Sequence, residues 1–179
     1  MGYFAVVLAR HEDGWDANDI DLDGIDDLTD LADGMRESSD LSDADSTSLL
    51  FFEQEDAWFA VVRVDGEDDP RVFVSDSDAA GLSAYAEMLL EAASGALGSI
   101  AVDDLEVEAV DSDDEDDEDD DEPAEVESGP VGDSELLSDL GTSGEALLAL
   151  CAKEGLLPSE ILTRLAEAAG AAEALESVR

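Results

Sequence analysis

The chain has 179 residues, enough for one ordinary domain or two small ones. Hydrophobic residues make up 44% of it, which supports a packed core and excludes wholesale disorder. Fifty-one acidic residues against seven basic ones give a formal net charge of −44, so no Lys/Arg surface able to displace counterions from a phosphate backbone can be assembled.

The first element is the apolar run at residues 3–9, Tyr-Phe-Ala-Val-Val-Leu-Ala, whose aromatic and β-branched content suits a strand buried on both faces. Glu12-Asp13-Gly14 makes a turn, with His11 beside it, and Trp15 starts a second short strand. A helical period follows, with Ile25, Leu28, Leu31, Ala32 and Met35 on one face and Asp23 as its cap. After a polar loop over 40–48, Ser48–Phe52 and Trp58–Val64 form a hairpin, and Asp65–Pro70 turns the chain into a strand at Arg71–Ser75. Residues 78–94 return to helix through Leu82, Tyr85, Ala86, Leu89 and Leu90. Phe51, Phe52, Phe59, Trp15 and Trp58 sit on these strands, where core packing accounts for them better than an aromatic recognition face does.

From 102 to 130 the composition narrows to Asp, Glu, Ser and Pro, which suits an acidic disordered linker extended by self-repulsion. Its centre is the run Asp111, Asp113, Asp114, Glu115, Asp116, Asp117, Glu118, Asp119, Asp120, Asp121 and Glu122, the candidate interaction segment. Beyond it, Asp133 caps a short helix carrying Leu136, Leu137 and Leu140, and Gly141 ends it. Thr142-Ser143-Gly144-Glu145 has the capping-box pattern, Gly155 stops that helix, and Pro158 opens another that ends at Gly170. The expected organisation is an α+β domain over 1–101, the linker over 102–130 and a helical segment over 131–179. The sheet is small and mainly antiparallel, with helices on one face.

Charge is spread over all three parts. Residues 1–101 hold 25 acids and 4 bases, residues 102–130 hold 17 acids and no base, and residues 131–179 hold 9 acids and 3 bases. The field favours a basic protein partner and disfavours direct nucleic-acid contact. A haloadapted surface is the alternative source of the acidity.

Motifs for chemistry are few. Asp19-x-Asp21-x-Asp23-Gly24 copies positions 1, 3, 5 and 6 of a calcium loop, but position 12 is Asp30 where a bidentate Glu belongs, and position 8 is Asp26. His11-Glu12 has the opening of a zinc deaminase pattern, and the downstream pair of cysteines is missing because Cys151 stands alone. Cys151 lies among leucines and fits a small core residue. With one histidine and one lysine, most acid–base and covalent machinery is absent, so no catalytic residue and no cofactor is expected. No membrane-spanning stretch or leader is expected, and the anticipated location is cytoplasmic.

Tyr3-Phe4-Ala5-Val6-Val7-Leu8-Ala9-Arg10 with Gly14-Trp15 resembles the start of the actinobacterial tRNA adenosine deaminase-associated protein family. Trp58 to Gly66, Pro70 to Asp76, the acidic spacer, Gly129 to Asp133 and Leu150 to Pro158 are similar as well, in the same order along nearly the whole chain. The scarcity of lysine beside arginine and abundant alanine suits such an origin. The resemblance implies an accessory protein that accompanies the tRNA-modifying enzyme, with no catalytic residues to carry over. Two alternatives come from other classes: a nucleic-acid mimic that inhibits a basic nucleic-acid-binding protein, and a calcium-binding module using Asp19, Asp21, Asp23 and Asp30.

Overall fold

The structure is a computed structural model that describes residues 2–39, 46–81, 83–100 and 129–179, without the side chains of 39, 84 and 95–100. The acidic run at 111–122 lies outside the described residues. The strands are β1 (Tyr3–His11), β2 (Gly14–Asp19), β3 (Thr47–Gln54), β4 (Trp58–Asp65), β5 (Arg71–Val74) and β6 (Val131–Gly132). They form one antiparallel sheet in the order β2-β1-β3-β4-β5-β6. Two helices, α1 (Leu28–Ser39) and α3 (Ala84–Ile100), accompany its first five strands together with the short α2 (Ser77–Ala80). A 3₁₀ turn at Ser138–Leu140 and α4 (Gly144–Cys151), α5 (Pro158–Ala169) and α6 (Ala172–Ser177) follow β6.

The apolar runs of the central strands are explained by burial on both faces. Alternate residues point to opposite sides of a pleated strand. Val7, Leu50, Phe52, Trp58 and Val62 face one core, which Leu31, Met35 and Leu89 of α1 and α3 close. Val6, Leu8, Leu49, Phe51, Phe59 and Phe73 face a second core, closed by Leu136, Leu140, Leu147, Leu162, Leu165 and Leu175 from the C-terminal helices. The helices of the first hundred residues thus cover one face as expected, and the C-terminal segment supplies the layer on the other. Trp15 marks the seam on that side, its indole Nε1 donating to the Ala169 carbonyl at 3.1 Å.

Local signals are honoured with shifts: the short helix expected after Asp133 is a turn running into 3₁₀ structure at Ser138–Leu140, and α4 ends at Cys151, ahead of Gly155. Helix α1 starts at Leu28, and Asp27, not Asp23, caps it by accepting from the Asp30 amide at 2.8 Å. Asp23 instead accepts from the Tyr85 hydroxyl at 2.9 Å. The helix expected over 78–94 is split into α2 and α3, because Asp76 caps a single turn that closes where the Gly81 amide donates to the Ser77 carbonyl. The β3–β4 hairpin turns through Glu55 and Asp56, both left-handed at φ 52° and 55°, a costly conformation for residues that carry a Cβ. Ser143 caps α4 through the Ala146 amide, and Gly170, at φ 82°, ends α5.

Candidate protein-interaction surface

Which charges remain available to a partner depends on how the fold uses its few cations. Arg63 on β4 has a side chain only 8% exposed. Its Nε donates to both carboxylate oxygens of Asp65, at 3.1 and 2.9 Å, and its Nη1 donates to the Leu136 carbonyl at 2.7 Å. Both Nη atoms also meet the Asp139 carboxylate, Nη2 at 2.9 Å from Oδ2. This two-oxygen contact with Arg63 lowers the Asp139 pKa, and the same contact raises that of Arg63. Arg71 pairs with Asp133 at 2.7 Å, just after β6.

Arg36 donates to the Gly66 and Asp68 carbonyls and to Asp33. Arg179 lies over the Phe4 ring, donates to Thr163 and the Ser159 carbonyl, and comes within 3.6 Å of Glu53. Glu53 carries a raised pKa, chiefly because it is partly withdrawn from water. Four of the seven basic residues are therefore engaged in joining strands, loops and helices of the chain itself.

The acids have the opposite distribution. Asp19, Asp21, Asp23, Asp26, Asp27, Asp30 and Asp33 are all exposed along the end of β2, the connecting loop and the first turns of α1. Glu67, Asp68 and Asp69 are exposed on the β4–β5 turn. An anionic field thus belongs to the folded body as well as to the residues of the acidic run.

Of the candidate calcium ligands, Asp21 accepts from the Asp23 amide at 2.9 Å and lies 3.5 Å from the Tyr3 hydroxyl, while Asp23 serves Tyr85. Asp19 ends β2 and Asp30 is in the first turn of α1. Among the described residues no three of His, Cys, Asp or Glu come together as a metal-holding group. His11 closes β1 and lies 3.3 Å from Asp16 across the hairpin. Cys151 is half-buried beside the second core, and desolvation pushes its thiol pKa up to about 11. Among the described residues no helix is long and apolar enough to cross a membrane.

Arg10, Lys153 and Arg164 are exposed, so the folded surface carries a few cations among many carboxylates. A family model described as Rv3753c-like tRNA adenosine deaminase-associated protein matches residues 3–172. The chain belongs to that family. No curated protein and no solved structure matches it. The matched span runs from β1 to the first residue of α6.

Sequence reasoning overlooked one surface. Leu148 and Leu157 are the exposed large hydrophobic residues among those described, at 41% and 48%. The run Ala146-Leu147-Leu148-Ala149-Leu150-Cys151-Ala152 carries the signal, since seven consecutive apolar residues exceed what one buried stripe of a helix needs.

Proposed function

We propose that this chain is a non-enzymatic, acidic accessory protein of the cytoplasm that binds tRNA adenosine deaminase, meeting the basic surface with which such an enzyme holds tRNA. The observation that carries this is the placement of charge: Arg36, Arg63, Arg71 and Arg179 are turned to the chain's own carboxylates and carbonyls, while the aspartates from Asp19 to Asp33 face water. The family description, which names association with the deaminase and not the deaminase itself, supports the same assignment. So does the composition, since one cysteine and one histidine cannot supply a deaminase's zinc ligands. The acidic run at 111–122 adds a second anionic segment to the folded one.

Isothermal titration of the full chain into purified tRNA adenosine deaminase tests this. Binding is expected at about 0.05 M salt and is expected to weaken steeply by about 0.5 M, as screening shortens the reach of the charges. Deleting 103–127 lowers the affinity without abolishing it, because the folded carboxylates remain. Absence of binding at low salt would remove the deaminase as partner. If tRNA and the protein exclude one another from the enzyme, the chain acts as a mimic of nucleic acid, and a ternary complex rules that out.

A further inference from the structure

Helix α4 carries two apolar stripes where a surface helix needs one. Positions i, i+3, i+4 and i+7 share a helix face. Gly144, Leu147, Leu150 and Cys151 form the inward stripe: Gly144 and Leu147 are buried, Leu150 and Cys151 are half-buried against the second core. Leu148, Ala149 and Ala152 form the outward apolar stripe, with Glu145 on the same face one turn before it, and all four are exposed. Leu157, the residue before α5, is the other exposed large hydrophobic among the described residues. A lone exposed leucine needs no account, but a contiguous apolar stripe on a chain with 51 acids does.

The margins identify the occupant. Glu145 precedes the stripe, Glu154 follows it, and Glu160 lies against Leu157 by accepting from its amide at 3.1 Å. Lys153 is the one base among these three acids. A second copy of the chain would bring the same acidic margin and another net −44, so long-range repulsion opposes self-pairing. We propose that the outward face of α4 together with Leu157 is a docking site for an apolar patch with basic margins on a partner protein. The occupant rests on the function proposed above; the position of the site does not. Carboxylates across the body then speed encounter and set the salt dependence, while Leu148 and Leu157, removed from water, hold the complex.

The test uses the full chain and two probes. The first is a synthetic amphipathic helix of leucine and lysine, about eighteen residues long so that it can be helical when bound. Amide shift changes on its addition are expected to centre on 145–157, and Leu148→Ser/Leu157→Ser is expected to weaken binding by about tenfold or more. Ala149→Arg, which adds a positive charge to an exposed position, should weaken it without disturbing the fold. Shift changes confined to Asp19–Asp33, or variants that bind as tightly as the wild type, overturn the docking site. A wild-type dimer dissociated by the double variant assigns the surface to a second copy and overturns it too.

The second probe is purified deaminase. Equal binding of wild type and double variant overturns the site and leaves association to the carboxylates. If the deaminase binds neither while the peptide still maps to α4, the enzyme is lost as partner and the docking site stands.

Discussion

The Arg63 guanidinium and the Asp139 carboxylate, 76 positions apart in sequence, meet through both Nη atoms and both carboxylate oxygens. With the bond from Arg63 to the Leu136 carbonyl, this fastens the C-terminal layer to β4 at the rim of the second core. Arg63→Met is expected to cost about 2–4 kcal/mol, because several charge-assisted bonds vanish and the carbonyl is left without its donor. Arg63→Lys restores little, since a single ammonium cannot span Asp65, Asp139 and the carbonyl together. Urea denaturation measures the loss. In a Trp58→Phe background, Trp15 fluorescence reports whether the C-terminal layer leaves first, since Trp15 is bonded to Ala169.

The same pair sets a pH dependence. Contact with Arg63 lowers the Asp139 pKa in the folded chain, so its contribution is present above the ordinary carboxylate range. It is lost as pH falls through the lowered value. Global acidification also relieves the repulsion among 51 acids, so the wild-type curve alone mixes two effects. The difference in melting temperature between wild type and Asp139→Asn isolates the pair. It is expected to be constant from pH 7 to about pH 5 and to close below about pH 4. A difference that stays constant to low pH would show that the carboxylate charge is not what Arg63 recognises.

Two glycines separate backbone strain from close approach. Gly132 in β6 has φ 103°, and a Cβ there would lie 2.2 Å from the Val72 carbonyl oxygen. Gly155 has φ 86°, and a Cβ there would meet nothing within 4 Å. Gly155→Ala should therefore cost only the left-handed penalty, about 1 kcal/mol. Gly132→Ala adds a collision with rigid backbone at the point where β6 joins β5, and is expected to cost at least about 3 kcal/mol. Chemical denaturation of both variants checks the difference; equal losses would mean that β6 gives way without affecting the core.

The strands were legible because their signals are local: Val6, Val7 and Leu8 are apolar without a break, and that pattern requires cover on both faces. What covers the second face was not legible, since Leu162 and Leu165 present only a helical period, and nothing in a period names the surface it meets. The cap of α1 was misplaced for a related reason. Asp23, Asp26, Asp27 and Asp30 are equivalent as residue types, and only the backbone path decides which carboxylate reaches a free amide. Asp27→Ala should accordingly lose about 1 kcal/mol by thermal denaturation, and Asp23→Ala a few tenths. The proposed interaction surface divides the same way. Net charge was readable by counting, whereas the outward stripe of α4 became visible only once Leu147 and Leu150 were seen to satisfy the core without Leu148.

Cys151 gives a last, independent check on how firmly α4 is seated. Its thiol pKa of about 11 in the folded chain arises from desolvation against the second core. A group that holds its proton more tightly when folded stabilises the fold below its ordinary value, and that contribution declines as pH rises above it. At pH 8 the thiolate fraction should be lower than that of an unfolded cysteine by roughly a hundredfold, and alkylation correspondingly slower. Iodoacetamide labelling followed by mass spectrometry, in buffer and in denaturing urea, measures the ratio. Comparable rates in the two conditions would mean that α4 detaches from the second core on the labelling timescale, and its inward stripe would then join the outward one as exposed surface.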